Sequence, residues 1–564
     1  MEQALDIPEI LEYVLQQAQP ASQAVSAQIC RRWSRISLDI LWRDMDSFYP
    51  LFQLLSPLRC VGDEWHFKAD LYDANWERFD LYARRIRKLS YDDGHEYQGE
   101  DALASTDLFG QILLHRPTPN APILPNLTSI TWDASTTQSL THILPFISPT
   151  VVYLGLSCRT PRDGPCAKLL RSLSLRNLSL STFLLLVTFP GEEYLETLVS
   201  FLAGQKQLIR VGLPFFSATR EVVGALATLP SLKRYTGWGK KRSYQIPLEE
   251  GMQFDWGPQS FGSLEELGFY TPALTQASEI LARRGGQSLR TLYLACLSWP
   301  SCNKLRHLST TLVTSHSRLM VIRLSLFSEA GPPNPLYRVD FDTIRPLLQC
   351  TALSTLLVWH NRPLAYTEED VTEMGLAWPQ MTSLELCPDP TSDVESTSGQ
   401  PLRIVGTICR AFPKLENLAV YVNEAGLTPD VLEPGIALAP SRLKKLNLGT
   451  SPRPRPNASD SDSTGNNADD IALFIASVTP PSLKMCSSRS VGHLRGLESN
   501  EEERKEYEHR SLYWSDIAQK VRLVHVGMAY VASGFEDLAR QNRFLREEVR
   551  RLAVTQGTLT QAIP

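Results

Sequence analysis

The hexapeptide Leu289-Arg290-Thr291-Leu292-Tyr293-Leu294 carries leucine at its first, fourth and sixth positions. Side chains alternate between the two faces of a strand, so Leu292 and Leu294 share one face and can enter the same core. The same spacing of apolar residues returns along the chain about every 30 residues. The copies begin at Ile86, Leu127, Val151, Leu175, Leu208, Leu232, Leu264, Leu289, Leu319, Leu353, Met381, Leu415, Leu443 and Leu483. One strand-forming unit is therefore repeated over most of the sequence.

Segments with helical periodicity separate many of these copies. Leu305, Leu308 and Leu312, for example, form an apolar stripe before the copy at Leu319. This period and this motif are the signature of leucine-rich repeats, whose units must stack because none of them buries its own faces. The sequence therefore predicts an α/β fold, in the form of a curved leucine-rich-repeat solenoid of short parallel strands plus helices.

The repeats suggest a division of the chain into four parts. The predicted parts are an N-terminal helical module at 1–48, a connecting helix and first repeat at 49–100, the solenoid at 101–490 and a C-terminal helical segment at 491–564. Residues 451–470 are rich in Pro, Ser, Asp and Asn, a composition that predicts a flexible surface loop.

Three apolar blocks stand before the repeats. They are Ile7-Pro8-Glu9-Ile10-Leu11, Ile29-Cys30-Arg31-Arg32-Trp33 and Ile40-Leu41-Trp42-Arg43-Asp44. Pro8 suits the first turn of a helix, where its missing N–H is not needed. We predict that a first helix ends at Pro20 and that Ser22 is the N-cap of a second helix, whose apolar stripe continues to Ile36. A third helical stripe should end at Trp42.

The stretch Ile7–Asp44 resembles an F-box, a three-helix module that docks on the Skp-type adaptor of cullin–RING ubiquitin ligases. With the repeats, the chain is similar to the F-box families of mushroom-forming fungi. The resemblance rests on the order and spacing of the "IPEIL", "ICRRW" and "LW" blocks, and Ser22–Gln28 departs from it by being more polar than the usual second helix. The resemblance implies that the adaptor-binding residues are Ile7, Pro8, Ile10, Leu11, Ile29, Cys30, Trp33, Leu41 and Trp42.

The function that this resemblance implies is substrate selection for an SCF-type ubiquitin ligase. The N-terminal helices would bind the adaptor, and the repeats would bind a protein target that the sequence does not identify. A second interpretation is a leucine-rich-repeat scaffold without a ligase role, in which the N-terminal helices cap the solenoid. In both interpretations the chain is not an enzyme.

A basic segment with interleaved aromatic residues follows the copy at Leu232. Its candidate ligand-facing residues are Arg234, Tyr235, Trp238, Lys240, Lys241 and Arg242. The segment fits an insertion loop that lines a charged groove for an acidic or phosphorylated ligand. A solvated surface loop is the alternative.

The tail carries an apolar stripe that alternates steps of three and four residues for more than five heptads. Its members are Trp514, Ile517, Val521, Val524, Met528, Val531, Phe535, Leu538, Asn542, Leu545, Val549 and Leu552. The pattern fits a coiled coil, and hence a homodimer through the C-terminal helix. Gly527 and Gly534 count against the coiled coil, because each weakens a helix relative to alanine. The pattern also fits one long helix, with or without a break, that covers the apolar end of the solenoid.

Composition and motifs exclude several function classes. The chain has a net charge of −5, so a nucleic-acid partner is not expected. No secretory signal or membrane-spanning stretch is visible, and the ten cysteines are scattered as in proteins of reducing compartments. Phosphate-binding, hydrolase and metal motifs are absent from the sequence, so we expect no cofactor and no metal. A cytoplasmic or nuclear protein is predicted.

Overall fold

The computed structural model describes residues 7–61, 64–92, 103–104, 106–119, 121–158, 164–187, 192–214, 219–238, 261–271, 273–283, 288–296, 301–326, 339–360, 362–390, 400–422, 442–449, 451–452, 464–486 and 509–531. Its helices, in chain order, are α1 Pro8–Gln16, α2 Pro20–Ser26, α3 Arg31–Leu41, α4 Tyr49–Phe52, α5 Trp76–Ala83, α6 Thr106–His115, α7 Thr137–Thr141, α8 Gly164–Ser174, α9 Glu192–Gly204, α10 Arg220–Ala227, α11 Leu274–Arg283, α12 Cys302–His316, α13 Phe341–Ile344, α14 Glu368–Ala377, α15 Ile404–Ala411, α16 Thr464–Val478 and α17, residues 509–531. Short 3-10 helices lie at Leu144–Phe146 and Arg345–Gln349.

The strands follow the repeat pattern along the chain. They are β1 Asp44–Met45, β2 Leu58–Val61, β3 Glu64–Phe67, β4 Lys88–Asp92, β5 Leu103–Ala104, β6 Ser129–Ala134, β7 Tyr153–Cys158, β8 Thr182–Val187, β9 Arg210–Pro214, β10 Arg234–Trp238, β11 Glu266–Thr271, β12 Thr291–Cys296, β13 Val321–Leu326, β14 Thr355–His360, β15 Ser383–Leu386, β16 Asn417–Val420, β17 Lys445–Asn447 and β18 Lys484–Cys486.

The first of two compact units comprises Met1–Pro272 and Glu279–Tyr293. Within it, β1, β4 and β6 to β11 pair side by side in chain order, and every pair is parallel. Arg290 N and Thr291 N both donate to Glu265 O, at 2.8 and 3.0 Å, and bring β12 to this ladder. A separate small sheet has the order β2–β3–β5, which the repeat pattern did not predict.

The second unit comprises Ala273–Ser278 and Leu294–Pro564, so the division passes through α11 and β12. Strands β13 to β18 pair in chain order, again in parallel. Parallel neighbours need a crossover connection, and most successive strands of this ladder are separated in the chain by a helix. Each unit is thus an α/β ladder of the leucine-rich-repeat-like kind that the sequence predicted.

Alternation along each strand explains why the leucine pattern produces this architecture. In β14, Leu356 and Val358 are fully buried, whereas Leu357 and Trp359 are half-buried on the opposite face. Leu356 pairs in register with Leu384 of β15, which is also fully buried. The repeated leucines therefore form one continuous core layer within the unit, and the intervening residues remain available on the other face.

One repeat has a different frame from the predicted one. The pattern placed a strand at Leu175-x-x-Leu178-x-Leu180, but β8 lies at Thr182–Val187 and uses Leu180, Phe183 and Leu185 as its core residues. Leu175 is 81% exposed, in the turn that follows α8. Two overlapping copies of the same spacing share Leu180, and the backbone selects the second one.

The predicted insertion loop after Leu232 is also corrected. Arg234–Trp238 is strand β10, paired with β9 on one side and β11 on the other. Tyr235 belongs to the core and is 3% exposed, and burial raises the pKa of its phenol. The prediction of a loop is therefore wrong for residues 234–238, and Lys240, Lys241 and Arg242 lie outside the described residues.

The prediction of a flexible loop at 451–470 is wrong at both ends of that range, and residues 453–463 lie outside the described residues. Helix α16 begins at Thr464, so the last part of that range is helical. Ser451 is fully buried, where its Oγ accepts from Val422 N at 2.9 Å. Because the segment is polar in composition, its sequence contains no signal for the buried Ser451 or for the start of α16.

The C-terminal helix covers the last repeat of the second unit. Trp514, Ile517 and Val521 of α17 are buried, and Trp514 Nε1 donates to Ser451 O at 2.9 Å. His525 Nε2 lies 3.1 Å from Ala476 O and 3.0 Å from Thr479 O, at the C-terminal end of α16. These contacts favour the cap interpretation for this part of the tail. The homodimer stays a prediction, and the heptad residues from Phe535 to Leu552 lie outside the described residues.

We expect Trp514→Ala to loosen the cap. Removal of a fully buried tryptophan should lower the free energy of local opening of α16 by about 3 kcal/mol or more, measured by amide hydrogen exchange. Leu512→Ala is the matched control, because Leu512 lies on the same helix and is 68% exposed. Equal rates of amide exchange of α16 in the two variants would show that Trp514 of α17 does not stabilise α16.

His360 gives the second unit an acid-sensitive position. It is fully buried at the end of β14, its Nδ1 accepts from Arg362 N at 3.0 Å, and burial lowers the pKa of its imidazole to about 4. The unfolded chain takes up this proton near pH 6.5, so the folded state binds fewer protons between these values. The contribution of His360 to stability is complete above about pH 6.5 and falls by about 3 kcal/mol as the pH decreases through about 4.

Urea unfolding at a series of pH values should therefore show a smaller loss of stability on acidification in His360→Asn than in the natural chain. Identical slopes for the two proteins would contradict the role assigned to His360.

Candidate docking surface

Three helices precede the repeats, but two of their boundaries differ from the prediction. Pro8 begins α1 as expected. Pro20 begins α2 instead of ending the preceding helix, because a proline at the first helical position costs no hydrogen bond. The chain then leaves the helix, and Cys30, in an extended conformation, is the N-cap of α3. The predicted second and third stripes are thus divided between α2 and α3.

The polar second helix, in which the sequence departs from the F-box pattern, has a structural role. Gln23 is buried, and its Nε2 donates to Leu15 O at 2.8 Å and to Ala18 O at 3.0 Å. The last carbonyls of a helix need partners from outside its regular ladder. Leu15 O also accepts from Ala18 N at 3.1 Å, so Gln23 adds a second donor to Leu15 O and provides one to Ala18 O. Sequence reasoning missed this residue because a glutamine among polar neighbours gives no periodic signal.

The helices are anchored to the repeats of the first unit. Arg85 forms an ion pair with Asp39 of α3 and donates to Arg35 O at 3.3 Å. The rings of Trp42 and Tyr82 lie 4.6 Å apart. Strand β1 follows directly and pairs with β4, so the sheet begins inside the segment predicted for the N-terminal module.

A salt bridge ties α1 to the residue that precedes β1. Arg43 Nη2 lies 2.8 Å from Glu12 Oε1, and Gln16 Nε2 donates to the same oxygen at 3.0 Å. Both charged side chains are more than a third exposed, so we expect the pair to orient α1 more than to stabilise it.

The predicted adaptor-binding residues fall into three groups by exposure. Ile7, Pro8, Ile10, Ile29 and Cys30 are exposed; Trp33, Leu41 and Trp42 are half-buried; and Leu11 is fully buried. Leu11 therefore belongs to the core between the helices, and a protein partner would not reach it without unfolding α1.

Further apolar side chains are exposed beside the predicted ones. We define the N-terminal apolar surface as Ile7, Ile10, Tyr13, Val14, Val25 and Ile29, which are between 38 and 66% exposed. Ile7, Ile10 and Val14 are three and four residues apart, as are Val25 and Ile29, so each set follows one side of the chain. Solvent-exposed apolar residues grouped in this way are typical of protein-binding surfaces.

A second candidate surface lies on the ladder of the second unit. Trp359 Nε1 donates to Glu385 Oε2 at 2.9 Å, on the face opposite the leucine core. Burial raises the pKa of the Glu385 carboxyl, and the Trp359 hydrogen bond and the Arg323 charge partly oppose this rise. This pair is a candidate contact for a target, but no single ligand class follows from it.

The described residues include all ten cysteines of the chain. They contain no cluster of three or more His, Cys, Asp or Glu that could hold a metal ion. All ten cysteines are free thiols, and the pair Cys158 and Cys166 lies buried with its sulfurs 4.0 Å apart. Among the helices described here, none is both long and apolar enough to cross a bilayer.

Several solved structures are similar to this chain. The solved structure of the leucine-rich repeat-containing protein LegL7 from Legionella pneumophila is similar to the chain with a TM-score of 0.31 and 14% sequence identity, over 62% of this chain and 94% of that one. No protein-family model matches the chain, and no curated protein matches it. The fold assignment therefore rests on the parallel strands and the buried leucine positions described above.

We expect Gln23→Ala to loosen α1 against α2. Loss of the two hydrogen bonds removes a side-chain link between α2 and the end of α1, which costs about 1 kcal/mol for each bond, and amide exchange in residues 8–26 should rise accordingly. Gln28→Ala is the matched control, since Gln28 is exposed next to the same helix. An unchanged exchange rate in Gln23→Ala would mean that the glutamine does not hold the two helices together.

Proposed function

We propose that the chain is the substrate-recognition subunit of an SCF-type ubiquitin ligase. In this proposal the N-terminal apolar surface binds a Skp-type adaptor, and through it a cullin–RING ligase, while the repeats bind a protein target. The chain itself would carry out no bond chemistry. The observation that carries the proposal is the exposure of Ile7, Ile10 and Ile29, which lie on or directly beside helices whose inner residues are buried.

The energetics of this surface support a binding role. Full burial of one isoleucine side chain contributes roughly 1.5–3 kcal/mol, and tenfold in affinity corresponds to about 1.4 kcal/mol. Two such side chains at the centre of an interface are enough to decide whether a complex forms. The repeats would then raise the local concentration of the target near the ligase.

The alternative is a leucine-rich-repeat scaffold whose N-terminal helices only cap the repeats. The pairing of β1 with β4 and the ion pair between Asp39 and Arg85 favour it, because both attach the helices to the first unit. A cap, however, does not require large apolar side chains on its outer side. The two functions make different predictions. A ligase subunit binds a Skp-type adaptor in its folded state, whereas a scaffold with a simple cap does not.

The test is binding of the full chain to a Skp-type adaptor by biolayer interferometry. We expect Ile10→Ser with Ile29→Ser to weaken binding about a hundredfold or more, from the burial that each isoleucine loses. Leu114→Ser with Leu175→Ser is the matched control, since these leucines are 79 and 81% exposed elsewhere in the first unit.

Circular dichroism should show that both double variants remain folded. Absence of binding by the natural chain would refute the adaptor proposal and leave the scaffold function.

A further inference from the structure

The N-terminal apolar surface continues into a group of arginines. We define the basic rim as Arg31, Arg35 and Arg84, all of which are exposed. The whole chain has 56 Lys and Arg against 61 Asp and Glu, so composition alone does not produce a local excess of positive charge. The rim is therefore a feature of where the helices place their charges.

The apolar surface and the rim are joined through the backbone. Ile29 is 60% exposed and lies two residues before Arg31, hence within about 7 Å of it by Cα distance. Arg35 is one helical turn farther along α3, about 6 Å from Arg31. Arg85, directly after Arg84, donates to Arg35 O at 3.3 Å and so brings the end of α5 beside α3.

The arginines of the rim occupy unfavourable positions for α3 itself. The N-terminal end of a helix carries a partial positive charge, and Arg31 and Arg32 are its first two residues, with no acidic residue in the first turn. Arg31 and Arg35 are also four residues apart, the spacing at which like charges repel on a helix surface. The stability of α3 therefore does not explain these residues.

The neighbouring carboxylates are engaged elsewhere. Asp39 forms its ion pair with Arg85, Asp44 lies 3.2 Å from Lys88, and Glu12 lies 2.8 Å from Arg43. Among the residues that the structure describes, no carboxylate forms an ion pair with any of the three rim arginines. The described residues thus provide no ion pair to the charges of the rim.

We infer that the protein partner of the N-terminal apolar surface presents a cluster of carboxylates to Arg31, Arg35 and Arg84. This inference rests on the proposed function and adds the electrostatic character of the partner. An apolar centre with charged arginines at its edge is the usual composition of a protein–protein interface, and edge charges of this kind mainly accelerate association. The adjoining isoleucines favour a protein over a nucleic acid, whose phosphates would use the arginines alone.

The test compares association rates of the full chain with the Skp-type adaptor at two ionic strengths. The rim variant is Arg31→Glu with Arg35→Glu, and its control is Lys206→Glu with Arg220→Glu, which makes the same change in net charge at exposed positions of the first unit. At about 0.1 M salt, where the Debye length is about 10 Å, the rim variant should associate about tenfold more slowly than the control. At about 1 M salt, where that length is about 3 Å, the two rates should converge.

Folding is controlled independently of binding. Glutamate at position 31 is favourable for the helix dipole, so the rim variant should keep or raise the melting temperature of the natural chain. A slower association therefore reports on the lost charges and not on a damaged α3.

The outcomes separate this inference from the proposed function. Adaptor binding with equal rates for the rim variant and the control would overturn the acidic partner surface and leave the ligase proposal standing. No adaptor binding by the natural chain would overturn both. A rim-dependent affinity for a random DNA duplex, with unaltered adaptor binding, would reassign the arginines to a nucleic acid and also overturn the inference.

Discussion

Each repeat of this chain depends on burial that only its neighbours can provide. A strand such as β14 buries Leu356 and Val358 on one face, yet its backbone groups and its core leucines need a strand on either side. This requirement propagates to β18, the last strand that the structure describes. In the second unit, Trp514 and Ile517 of α17 are buried, and Trp514 Nε1 donates to Ser451 O. Helix α17 thus contributes to the burial that every repeat needs from its neighbours.

The regular part of the fold could be predicted because it depends on a local pattern. Alternate leucines on a short strand are visible in any window of six residues, and nearly all copies fall where the pattern places them. The failure at Leu175 has the same cause, since two frames that share Leu180 satisfy the pattern equally. Contact with the neighbouring strands on both sides selects one of the two frames. Those strands are distant in the sequence, so a local pattern does not contain this information.

Polar and charged segments were harder to interpret. The basic run after Leu232 carries the charges of a loop, but Tyr235 supplies the one core residue that β10 needs between its two neighbours. Pro20 indicated a helix end, although proline fits a helix start equally well. At the candidate surface, the spacing could not distinguish Leu11, which faces the core, from the exposed Ile10. Which side of a helix faces inward depends on the neighbouring helices.

Gln23 has a consequence for the cost of binding. A short helical pair whose ends were open to water would have to become ordered when a partner arrived, and that loss of conformational freedom would weaken the complex. The two bonds from Gln23 to Leu15 O and Ala18 O fix the end of α1 in the isolated chain. The uncharged polar helix α2 thereby preorganises the apolar side chains of the module, so that less of their binding energy is lost to ordering.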